Sequence, residues 1–513
     1  MKHITDPLLQ LLEPYRYVSV VCGQWGDTGK GKVVDLLADV WADAVIRRTG
    51  SANAGHTVVP KDKETILHLI PSGILHDARG LQNIIDEGVA FDPAEAWDSE
   101  IVPLRADGIA CTNLHISHMA KLLLPQHIVM DMVRETSPGE FKVGTTGRGV
   151  GPCYTDFYAR TGLVVNDLLN RDVFVRKLRQ NLKDKARLLS FADPEIVKKA
   201  MQDPRLGSGI YLKDGYHGQA DGTGPFDADA IIEHYLRYGE RLREFIRDTR
   251  ELIRRLINKM KHIVFEGAQG TLLSVDYGTY PNVTSSDASF HGLTHGLPIK
   301  REDIFSLMIM KAFYMTRVGN GPFPTEFGGA LSEAWCRHAE REAEEGQYAH
   351  LTVNDPDPFL QGIAIRMAGH EYGATTKRSR RTGWFDLPAA KYARLVNDTP
   401  NVVTTKSDVL DDCDTIKICV AYRYTGSNYH LGDQLLTKGT QFTVAPMDDF
   451  VLQYCEPEYR EFPGWRSKTS DITDMRDMPA AFRTILDFCE NEADFHTQIC
   501  SVGPKRSQTI IRG

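Results

Sequence analysis

Tyr17-Val-Ser-Val-Val-Cys22, followed at once by Gly23-Gln-Trp-Gly-Asp-Thr-Gly-Lys-Gly-Lys32 and then Val33-Val34-Asp35-Leu36-Leu37, decides the fold class. The first six residues are apolar or β-branched, as in a strand buried on both faces. The last five begin a helical pattern. The glycines between them permit a tight turn in which backbone N–H groups approach an anion, and a following helix N-terminus adds its positive end. Strand, glycine turn and helix form the basic unit of nucleotide-binding α/β folds. The spacing is not that of the standard phosphate loop. One residue too many separates Gly23 from Gly29-Lys30, and Gly31 stands where a Ser or Thr metal ligand would be. The glycines alone establish no more than a tight strand–helix turn. Asp27 is the unusual member, because a carboxylate among phosphate-binding groups repels the ligand unless Mg²⁺ intervenes or it acts as a base.

Working outward, three more apolar runs end in polar, glycine-containing loops. His262-Ile-Val-Phe265 precedes Glu266-Gly-Ala-Gln-Gly270, Asn401-Val-Val-Thr-Thr405 precedes Lys406-Ser407-Asp408, and Thr497-Gln-Ile-Cys500 precedes Ser501-Val502-Gly503. Ligands in open α/β sheets lie beyond the carboxyl ends of strands, so each loop is a candidate site position. The expected fold is α/β, a single large domain over residues 1–513 around a mostly parallel central sheet. The three- and four-residue spacing of apolar residues from Asp227 to Met260 predicts one long packing helix. Residues 200–226, rich in Gly, Asp and Pro, read as a surface excursion. The charge-dense stretch Ser332 to Gly346 reads as a solvated helix.

Apolar residues make up 42% of the 513, charged residues 25%, and the formal net charge is −8. That balance does not invite nucleic acid. Nine scattered cysteines without CxxC spacing indicate neither a zinc site nor a disulfide framework, and point to a reducing, cytoplasmic setting. No apolar run is long enough to span a membrane.

The string Gln24-Trp-Gly-Asp-Thr-Gly-Lys-Gly-Lys32, with Val34-Asp-Leu36 after it, resembles the signature of the adenylosuccinate synthetase family. Further blocks match in order. They are Asn53-Ala-Gly-His-Thr57, Gly144-Thr-Thr-Gly-Arg-Gly-Val-Gly-Pro152, Phe265-Glu-Gly-Ala-Gln-Gly270, Gly278-Thr-Tyr-Pro281 with Val283-Thr-Ser-Ser286, Thr316-Arg-Val-Gly319 with Gly321-Pro-Phe-Pro-Thr-Glu326, Gly373-Ala-Thr-Thr376, Arg380-Arg-Thr-Gly-Trp384, Thr405-Lys-Ser-Asp-Val-Leu410 and Ser501-Val-Gly-Pro504. The resemblance runs from about residue 17 to the C-terminus. It implies a P-loop-like GTP-binding ligase fold, a homodimer, one Mg²⁺ per subunit, and GTP-dependent ligation of L-aspartate to IMP through 6-phosphoryl-IMP.

Roles carried over by position follow. Asp27 matches the base and metal ligand, His56 the general acid, and Lys30 and Gln269 further catalytic groups. The Gly55 carbonyl matches the second metal ligand. Gly26, Asp27, Thr28, Gly29, Lys30, Gly31, Lys32, Gly55, His56, Thr57 and Arg380 match GTP contacts. Lys406, Ser407, Asp408, Ser501, Val502 and Gly503 match residues around guanine. Asp27, Asn53, Ala54, Gly55, His56, Thr146, Gln269, Thr284 and Arg378 match IMP contacts, with Arg160 reaching the IMP of the neighbouring subunit. Arg148, Val318, Thr375, Thr376, Lys377, Arg378 and Arg380 match the aspartate pocket. These residue types suit the chemistry. A carboxylate can take the N1 proton of a 6-oxopurine. It can equally read the N1–H and 2-amino donors of guanine. Guanidinium groups bind the carboxylates of aspartate bidentately. Without the family register, His56 would read as a surface histidine, Arg148 as a solvated loop residue, the Lys377–Arg381 cluster as a solvated face and Gln269 as a turn cap.

Four positions depart from the family: Thr28 for Glu, Ala52 for His or Asn, Lys377 for Gly and Ser379 for Pro. The chain also carries extra length near 200–226, 330–365 and 425–470. A related ligase with an altered nucleotide, such as dGMP, or an altered amino acid therefore stays open beside the IMP–aspartate enzyme. A catalytically silent nucleotide-binding protein is the remaining alternative.

Overall fold

Ten strands form the central sheet of the computed structural model, which describes residues 2–58, 64–136, 144–206, 222–373 and 377–512. In chain order they are β1 (Tyr17–Cys22), β2 (Ala44–Arg47), β3 (Gln82–Ile85), β4 (Leu114–Ser117), β5 (Ile246–Arg247), β6 (Ile263–Glu266), β7 (Ile304–Lys311), β8 (Asn401–Thr405), β9 (His496–Ser501) and β10 (Thr509–Ile511). Their spatial order is β10-β9-β8-β7-β1-β6-β2-β3-β4-β5. All neighbours are parallel except β10, which runs against β9. Every residue of β1 and β7 is buried, as their mostly apolar character suits in a sheet covered on both faces. The chain first builds outward from β1 to β5, then returns to place β6 beside β1 and β7 on its other side. β1 is thus the point where the strand order reverses, and the loops after β1, β2, β6, β8 and β9 leave the sheet at one end.

A second sheet aligns Tyr314–Arg317, Arg381–Asp386, Thr415–Tyr424 and Gln441–Phe442, with Cys455–Pro463 along the far side of Thr415–Tyr424. One apolar cluster includes Val21, Phe265 and Met308 of the first sheet and Tyr422, Tyr424 and Phe462 of the second. The second sheet touches the glycine loop directly. Trp25 bridges Arg317, and Val318 N–H donates to Trp25 O at 3.2 Å.

Two elements differ from expectation. The stretch Asp227 to Met260 is not one helix but two, Ala228–Leu242 and Thr249–Asn258. Phe245 and Ile246 interrupt it because both are buried, Ile246 pairs with Ile116 at the sheet edge, and Asp248 starts the second helix by accepting from Glu251 N–H. The stretch Ser332 to Gly346 also divides, into parts of Gly329–Cys336 and Arg341–Tyr348. It is not wholly solvated, since Glu344 is fully buried on Arg366. Within 200–226, residues 207–221 lie outside the described residues. Residues 425–470 include a hairpin of Tyr429–Leu431 with Gln434–Leu436. Among the described residues, no helix is long and apolar enough to cross a membrane.

Candidate active site

β1 delivers the chain into the glycine loop, and the loop turns through left-handed backbone at Gly26 (φ 95°), Asp27 (φ 52°) and Gly29 (φ 84°). Gly29 is the N-cap of the helix Lys30–Val40. Asp27 is the one residue of the three with a Cβ, which makes this conformation costlier for it than for the two glycines. Neighbouring loops pack hard on this turn. A Cβ on Gly270 would lie 2.1 Å from Gln24 O, and one on Gly31 3.1 Å from Thr57 O, so the loops after β6 and β2 flank the turn. Lys30 Nζ donates to Gln269 O at 2.6 Å, and Gln269 Nε2 donates to Asn53 O at 3.0 Å. Asn53 Oδ1 is buried without a partner.

His56 is buried beside this frame, and its Nδ1 hydrogen-bonds Glu266 at the end of β6. Glu266 is fully buried and also accepts from Ser72 N–H at 2.9 Å and Ser72 Oγ at 2.6 Å. Burial raises the Glu266 carboxyl, but His56, Arg47 and Ser72 outweigh it and hold it at about 2. Burial pushes the His56 imidazole below its ordinary value, against the pull of Glu266. Glu266 accepts from Nδ1 and so fixes the orientation of the ring. Its Nε2 is buried and unpartnered, free to meet a substrate atom.

Asp27 pairs with Arg380 at 2.8 Å. Arg380 also pairs at 3.1 Å with Glu371, which is fully buried. Glu371 gathers Lys311 Nζ at 2.8 Å, Lys406 Nζ at 2.9 Å and Tyr314 OH at 2.7 Å. Burial alone would raise its carboxyl; Lys311, Lys406 and Arg380 instead hold it well below the usual carboxylate range. One ionised carboxylate thus anchors both the arginine that faces Asp27 and the lysine that opens Lys406-Ser407-Asp408.

Lys32 sits deeper. Its Nζ donates to Ser501 Oγ and Gly503 O at 2.7 Å each and to Gln508 O at 2.9 Å. Burial lowers the ammonium to about 7, partly offset by Asp408. Its charge is spent on the loop after β9. Ser407 N–H donates to Ser501 O at 3.2 Å and so joins that loop to the loop after β8. Thr405 Oγ1 donates to the carbonyl of Thr28, whose side chain is fully buried.

Gly26, Thr28, Ala54, Gly55, Thr57, Asp408 and Val502 therefore belong to the loops gathered around this turn. Val318 borders it, its Cγ2 lying 3.3 Å from where a Cβ on Gly26 would be. Thr284 joins through its N–H to Leu273 O at 2.8 Å. Arg148 pairs with Glu95 at 3.3 Å, the Thr146 carbonyl accepts from Arg205 at 2.5 Å, and Arg160 is exposed after the helix Val150–Tyr158. Lys377 and Arg378 are exposed beside the site, and Thr375 and Thr376 lie outside the described residues. Sequence reasoning assigned no role to Glu266, Ser72, Glu371, Lys311 or Arg47. A charged residue closing an apolar strand, as Arg47, Glu266 and Lys311 do, was the available signal for three of them. Arg47 is fully buried and none of its guanidinium nitrogens has a partner.

Among the described residues no cluster of three or more His, Cys, Asp or Glu could hold a metal. Asp27 is the carboxylate oxygen donor in the glycine loop.

The adenylosuccinate synthetase family profile matches residues 19–510. The adenylosuccinate synthetase of Heliobacterium modesticaldum is 40% identical, covering 97% of this chain and 99% of its own. That of Geobacter sulfurreducens is 38% identical, covering 96% and 97%. The solved structure of fully ligated adenylosuccinate synthetase from Plasmodium falciparum superimposes with a TM-score of 0.71 at 27% identity, over 97% of this chain and 100% of that one. Loop geometry, ordered motifs and these similarities agree: the chain belongs to the adenylosuccinate synthetase family, ligases that form C–N bonds.

Proposed function

We propose that this site joins L-aspartate to C6 of IMP at the expense of GTP, giving adenylosuccinate, GDP and phosphate. The observation that carries the reading is Asp27, strained into left-handed backbone within a phosphate-binding turn, with its carboxylate on Arg380. The 6-oxygen of IMP is a poor leaving group. Asp27 accepts the N1 proton, and the charge moves onto that oxygen. The oxygen attacks the γ-phosphorus of GTP and GDP departs. Positioning and charge stabilisation do most of the work in such a step. Lys30 and the N–H groups of the turn supply part of it, and His56 meets the transferring group through Nε2. The aspartate amine then adds to C6, and phosphate leaves with the former 6-oxygen. Arg380 and Arg378 suit the carboxylates of aspartate, with Arg148, Val318, Thr375, Thr376 and Lys377 around them. Asn53, Thr146, Gln269 and Thr284 hold IMP. Lys406 and Asp408 read guanine, closed in by Ser501 and Gly503.

Mg²⁺ fits this donor set. An ion that takes most of its ligands from triphosphate and water needs only one or two protein oxygens. Asp27 and the Gly55 carbonyl would hold one ion per subunit. When bound, it would draw negative charge off the β- and γ-phosphates.

The exposed Arg160 is read as completing the site of a second subunit in a homodimer. The chain is read as one unit, because a single apolar cluster joins both sheets. All nine cysteines are free and buried, which suits a reducing compartment.

The test is a spectrophotometric assay for adenylosuccinate. Turnover requires GTP, IMP, aspartate and Mg²⁺ together. Turnover with dGMP but not IMP, or GTP binding without turnover on any pair, would overturn the reading.

A further inference from the structure

The segment Trp335 to Glu344 lies against Tyr372 and residues 377–380, on the two flanks of the loop read above as the aspartate pocket. Its contacts are built, not incidental. Ser379 N–H donates to Ala339 O at 3.0 Å and Arg341 N–H donates to Lys377 O at 3.1 Å, with an antiparallel bridge between Glu340 and Arg378. Below this ladder, Glu344 is fully buried and accepts from Trp335 Nε1 at 2.5 Å, Arg366 Nη1 at 2.5 Å and Tyr372 OH at 3.1 Å. Arg366, itself buried, donates from Nε to the Arg380 carbonyl at 2.6 Å.

Both flanks are therefore tied to one external segment. Tyr372 is held through its hydroxyl, Lys377 to Ser379 through their backbone, and Arg380 through its carbonyl. Lys377 adopts φ 55°, a strained conformation for a residue with a Cβ. Such a residue persists only where its surroundings over-determine it. Here its N–H donates to Gly373 O at 2.9 Å while its carbonyl accepts from Arg341. A buried carboxylate with three donors does more than solvate a surface helix.

We propose that Ala339–Arg341 and Glu344 form a clasp that sets the geometry of the amino-acid-binding loop. They are positioning residues, acting on aspartate through Arg378 and Arg380 without touching it. The proposal rests on the reading of that loop as the aspartate pocket. It predicts that loosening the clasp weakens aspartate binding selectively.

Arg341 offers a clean perturbation. It is the first residue of the helix Arg341–Tyr348, and Glu340 before it is extended at φ −123°, ψ 161°. Proline is accommodated at a first helical position, and the residue before it favours such extended backbone. Arg341→Pro therefore removes the N–H that holds Lys377 O with little cost to the helix. Arg341→Ala is the control, since it loses the side-chain pair to Glu345 but keeps the N–H.

In the full-length protein, Arg341→Pro should raise the KM for aspartate about five- to ten-fold over Arg341→Ala, the effect of one hydrogen bond. The KM values for IMP and GTP should stay within about two-fold, as should kcat at saturating aspartate. Glu344→Gln should shift the aspartate KM in the same direction. Equal aspartate KM values in the Pro and Ala variants would overturn the clasp. A rise confined to IMP or GTP would overturn the reading of the loop, and the proposal with it.

Discussion

Glu266→Gln isolates the charge that supports His56. Glutamine has nearly the shape of glutamate, so the buried space stays filled. The carboxylate now takes hydrogen bonds from His56 Nδ1, Ser72 N–H at 2.9 Å and Ser72 Oγ at 2.6 Å. A hydrogen bond to an ionised group contributes about 1.5–3 kcal/mol, against about 0.5–1.5 for a neutral one. The variant thus stabilises a protonated His56 less by about 1–2 kcal/mol, roughly 5- to 30-fold in proton affinity. It also loses control of the ring's tautomer, because the amide can turn its NH₂ towards Nδ1 and drive the proton to Nε2. General acid catalysis is typically worth about 10²–10⁴. Losing much of it should lower kcat about 100-fold, with KM values for the three substrates nearly unchanged. Stability supplies a second readout. The Glu266 carboxyl sits at about 2, below its ordinary 4.5, so it stabilises the native state above pH 4.5 and that contribution fades as the pH falls towards 2. The gap in Tm between parent and variant should narrow from pH 7 to pH 3. The assay is adenylosuccinate formation across pH, with circular dichroism to confirm the fold. A kcat within three-fold of the parent, or a Tm gap that widens in acid, would refute the reasoning.

Asp27→Asn should abolish turnover while leaving GTP binding measurable by calorimetry; near-normal turnover would remove Asp27 as the base. Arg160→Leu should raise the KM for IMP, and mixing it with Asp27→Asn subunits should restore some intact sites; mixtures with no rescue would contradict a shared site. Lys32→Met removes three hydrogen bonds between the helix Lys30–Val40 and the loop after β9. It should raise the KM for GTP about ten-fold or more, with the KM for IMP within about two-fold. Equal shifts for both nucleotides would make Lys32 a general stabiliser.

Much of the site is legible in the sequence, because its parts sit at strand ends and strands announce themselves. β1, the glycine turn and the helix Lys30–Val40 read directly from alternating chemistry over twenty-odd residues. The loops after β6, β8 and β9 follow from the same logic. What stays hidden is pairing at a distance. Glu371 finds Lys311 and Lys406 at sequence separations of 60 and 35, and no local pattern connects them. The charge-dense stretch around Glu344 reads as solvated because composition cannot say which of its glutamates meets Arg366, 22 residues on. The 227–260 pattern failed differently. Its apolar spacing suits a helix throughout, but Ile246 gains more by completing the sheet edge beside β4, and Asp248 caps a fresh start. Arg148 matches the family in register, yet its guanidinium pairs with Glu95, a contact 53 positions away that no local pattern announces.

The central claim is that the purine 6-oxygen is phosphorylated before the amine replaces it. The most direct measurement uses IMP labelled with ¹⁸O at that position, incubated with the protein, GTP, aspartate and Mg²⁺, and reads the released phosphate by ³¹P NMR. The account predicts that the label moves from the nucleotide into phosphate, one atom for each adenylosuccinate formed. Label released to water, with phosphate unlabelled, would contradict it.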